Sequence, residues 1–156
     1  MELIKRVVYK HADRLLLDRE AALGNALGFA HIVGLAENNG KLVGKNPTST
    51  AKGLYQFING SVGPAVVRAA RTVGMLKWMQ EALEHRDFNR LNWEQQTLLF
   101  LADVLEKKGG DRYMRPVLAT GSLEAMEQAY YKLHHTAPDE MTIKNWKRKS
   151  YVSNRT

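Results

Sequence analysis

Between Ala21 and Ala36 the chain places apolar or small residues almost all the way round a helical turn. Leu23, Leu27, Ala30 and Gly34 recur three or four apart, as do Phe29 with Val33 and Ile32 with Leu35. A helix that is apolar on every side has to be enclosed by other elements, so this stretch requires a chain that wraps around it. Gly24, Gly28 and Gly34 each cost a helix interior about 1 kcal/mol relative to Ala, which makes sense where neighbouring helices approach closely. His31 on this helix reads as a core histidine with its hydrogen bonds satisfied. No second ligand stands within sequence reach of it, so no metal site is expected there.

The remaining segments supply that shell. Leu3, Ile4, Val7 and Val8, then Leu15, Leu16 and Leu17, predict one helix or two short ones over 2–18, with Lys5, Arg6, Lys10 and Arg14 on a basic face. Gly63-Pro64 opens a helix that runs to about Arg86, with Pro in a first turn where its missing donor costs nothing. Asn92 with Gln95 three residues later is a capping signature for a helix that stops at Gly109-Gly110. Asp111 caps a short turn ending near Gly121, and Ser122 caps a helix over Leu123–His134. Residues 38–62 read as loop with at most a small irregular β-hairpin, and Asn39-Gly40 and Asn46-Pro47 are turn dipeptides. In the tail, residues 141–156, Lys144, Lys147, Arg148, Lys149 and Arg155 meet no acid, while Ile143, Trp146 and Tyr151 predict that the tail docks. The fold class is therefore mostly α, as a single domain over residues 1–156 with six or seven helices.

Composition narrows the function classes. No apolar run is long enough for a transmembrane segment, and the first residues lack the pattern of a signal peptide. Without cysteine there is neither a disulfide framework nor a thiolate metal site. The 23 Lys and Arg against 16 Asp and Glu give a formal charge of +7, a field that attracts anions of any kind. Nucleic acid and an anionic bacterial envelope fit that charge equally well. No recognition motif for nucleic acid is visible, although a helix-turn-helix stays open in an all-helical chain.

One stretch carries chemistry. The buried helix runs into a lone carboxylate, Glu37, followed by a loop rich in Gly, Asn, Ser, Thr and Pro, and then by Ser49-Thr50-Ala51-Lys52-Gly53-Leu54-Tyr55-Gln56-Phe57. Gln56 lies nineteen residues after Glu37. This arrangement resembles the lysozyme-like transglycosylases that cut peptidoglycan glycan strands, in which a catalytic Glu closes a helix and a Gly-x-x-Gln segment follows about twenty residues on. The wording around Ser49–Gln56 resembles lambda-type bacteriophage endolysins. The surroundings of Glu37 resemble soluble lytic transglycosylases and goose-type lysozymes.

The resemblance implies a lysozyme-like fold with its cleft between the Glu37 helix end and the 49–57 segment. It also implies cleavage of the β-1,4 bond between N-acetylmuramic acid and N-acetylglucosamine, with Glu37 as general acid and then base, and no metal or cofactor. A general acid has to hold its proton near neutral pH. The apolar root of the helix and its negative C-terminal dipole are both expected to raise the Glu37 carboxyl. Between 38 and 62 there is no Asp or Glu, which favours a transglycosylase, where the muramoyl 6-hydroxyl attacks, over a hydrolase with a second carboxylate. Asp87, Asp103 and Asp111 read as caps or surface charges.

By the same resemblance Gln56 lines the cleft, and the backbone near Gly53 meets the sugar's N-acetyl group. Tyr55 offers a flat face to a pyranose or else packs in the core. Ser49 and Thr50 bond glycan hydroxyls or cap a turn. Ala129-Tyr130-Tyr131 is similar to an Ala-Tyr-Asn motif of the family, with Tyr131 in place of Asn, and implies that the Tyr130 hydroxyl orients Glu37. Gln95 and Gln96 read as structural.

The expected partners are peptidoglycan and, through the basic surface, an anionic cell envelope, with no nucleic acid. A monomer is expected, either an endolysin passing from host cytoplasm to the cell wall or a virion-borne enzyme. A hydrolytic phage or goose-type lysozyme, an inactive lysozyme-fold module and a nucleic-acid-binding domain are the alternatives.

Overall fold

The capping and stop signals lay out eight α-helices in the computed structural model, which describes residues 1–44 and 49–155, with the backbone alone for 152–155. They are α1 (Glu2–Arg14), α2 (Arg19–Asn38), α3 (Asn59–Val73), α4 (Lys77–His85), α5 (Trp93–Glu106), α6 (Gly110–Thr120), α7 (Leu123–Ala129) and α8 (Glu140–Arg155). A π-helical turn, Tyr130–His134, continues α7. The only β pairing among the described residues is an antiparallel bridge between Lys52 and Phe57. The mostly α expectation therefore stands. The Asn46-Pro47 turn lies outside the described residues. No described helix is long and apolar enough to cross a membrane.

Local signals account for most boundaries. The Asn92 side chain accepts from Gln95 N at 2.8 Å and the Gln95 side chain accepts from Asn92 N at 3.0 Å, the reciprocal box that starts α5. Ser122 accepts from Ala125 N and starts α7. Two expectations need correction. The helix expected over 63–86 is two helices, broken at Gly74 (φ +82°). The first of them begins at Asn59, so Pro64 falls in its second turn, exposed to solvent. The short turn expected after Asp111 is the full helix α6, and Asp111 pairs with Arg14 at 2.6 Å instead of capping.

The enclosed helix is α5, where every residue from Gln96 to Leu105 is buried. It packs against α1, α2, α3 and α6. Helix α2 buries Ala22, Ala26, Phe29, Ala30, Ile32, Val33 and Gly34 against its neighbours, but Ala21, Gly24 and His31 face solvent. His31 is thus not a core residue. Small side chains carry little apolar area, so a stripe of them can stay exposed at little cost.

Of the three α2 glycines, Gly34 answers to a close approach, and to a loop instead of a helix. A Cβ there would meet Leu54 Cδ1 at 2.9 Å. That contact clamps the turn around residue 54 against the last turns of α2. The C-terminal tail docks through Trp146, whereas Ile143 is half-buried and Tyr151, also expected to dock, is exposed. Trp146 is 1% exposed and joins the core, while Lys144, Lys147 and Arg148 stay on the outside of α8.

Candidate active site

The carboxylate is placed by the end of α2. Asn39 adopts the left-handed conformation (φ +52°), with Asn39 N bonded to Leu35 O and Gly40 N to Gly34 O. This paired closure satisfies the last carbonyls and turns the chain sharply away. Glu37 is left as the last residue but one of the helix, its side chain 11% exposed. The Tyr130 hydroxyl donates to Glu37 Oε1, and His135 Nδ1 lies 2.9 Å from the same oxygen. The Tyr130 contact expected from the Ala-Tyr pair is therefore present, and His135 is an addition that the sequence reading missed.

The π-turn explains the addition. In an α-helix a residue five positions on sits roughly 140° round the axis, at about 100° per residue. In the π-turn, where His135 N bonds to Tyr130 O at 2.8 Å, roughly one more residue fits into each turn. Residues four and five after Tyr130 then flank it on one face. His134 Nε2 donates to the Tyr55 carbonyl at 2.6 Å and His135 reaches Glu37. Behind them Tyr130 stacks on Trp146 of α8 at 4.9 Å between ring centres. The tail thus supports Tyr130 from behind without lining the cleft. Only the His-His pair after the Ala-Tyr signal hinted at this, and α-helical periodicity would have sent His135 elsewhere.

The 49–57 segment lies across from Glu37. Lys52 and Phe57 exchange backbone bonds at 3.1 Å, closing a tight turn with Gly53 at φ +83° and Gln56 at φ +53°. Helix α5 holds this turn from below. Gln96 Oε1 accepts from Leu54 N at 2.8 Å while its Nε2 donates to the Leu42 and Leu91 carbonyls at 3.0 and 2.9 Å. Gln96 is structural, as expected, and it leaves no room for a Cβ at Gly53, which would come within 2.5 Å of its oxygen.

Two expectations for this segment change. Tyr55 has no free face for a sugar: it is 1% exposed, stacks on Phe100 at 4.4 Å, and bonds Thr97 Oγ1 at 2.7 Å. Gly53 is buried beneath the turn and shapes it instead of contacting the cleft. The Thr50 hydroxyl accepts from Asn59 N at the start of α3, so it takes the capping role. Ser49 accepts from Ala51 N and also faces the cleft. Gln56 closes the turn by donating to Gly53 O at 2.8 Å and lines the cleft as well.

The cleft so formed has a volume of about 470 Å³, with Glu37, Ser49, Gln56, Asp103, Lys107 and His135 among its lining residues. Asp103 is neither a cap nor a surface charge. It is buried, with Arg68 Nη1 on one oxygen at 2.6 Å and Lys107 Nζ on the other at 3.2 Å. Lys107 also donates to the Leu133 carbonyl at 2.6 Å, so this strut ties α3 and α5 to the π-turn. Asp87 caps its own turn by accepting from Asn89 N.

The electrostatics reverse one expectation. Burial pushes the Glu37 carboxyl up and is the largest single influence. The His135 hydrogen bond, the charge of His134, the Tyr130 hydroxyl and the charge of His135 together outweigh it, and the carboxyl ends below its ordinary 4.5. His135 moves the other way: the bond to Glu37 raises it above 6.5 against the cost of burial. Burial lowers His134 below its ordinary 6.5 against the pull of Glu37, and its Nε2 hydrogen goes to the Tyr55 carbonyl. The sequence reading went wrong because it counted burial and the helix dipole without donors from another part of the chain.

A second depression of similar size, about 450 Å³, lies between α1 and the start of α6. Volume does not choose between the two; the first is the one where the 49–57 segment lies across from Glu37 and the Tyr130 hydroxyl holds its carboxylate. In the second, Arg14 is paired with Asp111 and Lys10 and His11 with Glu106, a surface whose ions largely neutralise one another. Among the described residues no group of three His, Asp or Glu side chains gathers in a metal-holding arrangement. No family model matches the chain, and no curated protein or solved structure matches it either.

Proposed function

We propose that this chain is a peptidoglycan lytic transglycosylase that cleaves the β-1,4 bond between N-acetylmuramic acid and N-acetylglucosamine, with Glu37 as acid and then base. The observation that carries the reading is the convergence of three distant segments on one cleft: a mostly buried Glu37, the Tyr130 hydroxyl on its carboxylate, and Ser49 with Gln56 lining the same cavity. A protonated Glu37 gives its proton to the glycosidic oxygen as the bond to the muramoyl anomeric carbon breaks. The muramoyl 6-hydroxyl closes on that carbon and returns its proton to the Glu37 carboxylate, leaving a 1,6-anhydro end. In the open cleft Glu37 is ionised near neutral pH. A glycan strand that displaces water strengthens burial, already the largest influence on this carboxyl, and drives it toward the acid form.

A hydrolytic reading is favoured by one observation, that Asp103 faces the same cleft. Both Asp103 oxygens are engaged by cations, however, which leaves neither one free to hold a water. The exposed Lys144, Lys147 and Arg148 on α8 suit an anionic envelope, for a phage endolysin or a virion-borne enzyme alike. The test is mass spectrometry of muropeptides released from purified peptidoglycan by the wild type and by Glu37→Gln. Anhydro ends from the wild type alone support the proposal. Reducing ends point to hydrolysis with Asp103. No release from a folded wild-type chain overturns the enzymatic reading.

A further inference from the structure

The pairing of His135 with Glu37 has no role in the scheme above, and the geometry gives it one. We infer that His135 holds, in the ligand-free protein, the proton that Glu37 delivers, and passes it to Glu37 when a glycan strand fills the cleft. The inference rests on the glycan-cleaving reading of this site.

Three observations carry it. First, His135 Nδ1 and Glu37 Oε1 are 2.9 Å apart, close enough for a proton to cross without any side chain moving. Second, the two partners are unequally wetted: the Glu37 side chain is 11% exposed and that of His135 36%, with both lining the cleft. Water in the cleft therefore stabilises the imidazolium, and a sugar that displaces it costs the charged pair more than the neutral one. Third, the contacts around the pair need not change when the proton crosses. The Tyr130 hydroxyl donates to Glu37 Oε1, which keeps an acceptor site in either form of the carboxyl, and His134 stays on the Tyr55 carbonyl. Asp103, in the same cleft, is held by Arg68 and Lys107. Asp139, at the start of α8, is the remaining charge felt by His135 and is solvent-exposed.

The step balances. The Nδ1–H bond of the imidazolium breaks and an O–H bond forms on Glu37, leaving a neutral imidazole that keeps its Nε2 hydrogen. Glu37 spends that proton on the glycosidic oxygen and regains one from the 6-hydroxyl. Release of product and return of water send it back to His135. No other reactant is consumed.

Two measurements decide it. In the wild type at pH 6, the imidazole ¹⁵N shifts of His135 are followed while a soluble N-acetylglucosamine oligomer is added. The charged pattern is expected to give way to the neutral one on binding; a ring that stays charged with the oligomer bound overturns the inference. The second is the pH profile of kcat/KM on purified peptidoglycan for His135→Asn, whose amide can still donate from the Nδ1 position but cannot store a proton. The alkaline limb is expected to move down by about one to two pH units, toward the carboxyl range. A uniform loss at every pH with an unmoved limb means that His135 only props the site, and the inference fails. Wild-type protein that releases no muropeptides overturns the glycan reading and the delivery step with it. The ¹⁵N titration then reports separately whether the pair shares a proton.

Discussion

Replacing Trp146 by Ala tests whether the C-terminal helix is part of the site or an appendage. Trp146 is 1% exposed and stacks on Tyr130, whose hydroxyl holds Glu37. Truncating a buried Trp to Ala costs about 3–5 kcal/mol, from lost transfer energy and the cavity left behind. For a chain of this size each kcal/mol lowers Tm by about 2–4 °C, so the expected drop is roughly 6–20 °C. A domain stability of about 5–15 kcal/mol leaves most variants of this kind folded at 25 °C. The assay is thermal unfolding followed by far-ultraviolet circular dichroism, with Trp93→Ala as control, because Trp93 is 44% exposed. Trp93→Ala should shift Tm by no more than about 2 °C, in line with surface substitutions. If Trp146→Ala also shifts Tm by so little, α8 does not dock as described and does not support Tyr130.

Two further outcomes follow from the site. The Glu37–His135 pair stabilises the fold over a defined pH window. Glu37, lowered in the folded state, contributes fully above its ordinary 4.5, and the contribution is lost as pH falls through its folded value. His135, raised, contributes fully below its ordinary 6.5, and that part is lost as pH rises through its folded value. The stability difference between wild type and Glu37→Gln, measured by urea unfolding, should therefore peak between these two values and shrink on either side; a difference flat from pH 3 to 9 would show that the pair does not titrate as described. Gly53→Ala places a Cβ 2.5 Å from Gln96 Oε1 at a φ of +83°. It should cost at least about 1 kcal/mol and weaken glycan binding by displacing the turn, and an unchanged urea midpoint would refute the role given to Gly53.

Much of the helical layout was legible in the chain itself, because its signals are local. Asn92 with Gln95, Ser122 before Leu123, and Gly109 after α5 mark boundaries through hydrogen bonds that reach only three or four residues. Where a boundary depended on more than its own residues, the reading slipped. The start of α3 moved to Asn59 because the Thr50 hydroxyl, nine residues upstream, serves its first N–H. His31 was misplaced because periodicity shows that a face is apolar but not whether a neighbour covers it.

Glu37, Gln56 and Tyr130 are singled out by the family resemblance that their segments carry, and that resemblance also implies the Tyr130 bond to Glu37. What only the tertiary structure decided was the protonation chemistry and the division of labour around that carboxylate. A carboxyl's pKa is set by everything within a few ångströms, and here that means donors from 93 and 98 residues away. A π-turn, invisible to a 3.6-residue period, brought His135 to Glu37. Burial turned Tyr55 from a candidate sugar platform into a pin between the turn and α5. The sequence determined which groups were available. Packing determined which of them touch, and the sign of the charge effect at Glu37 follows from that contact.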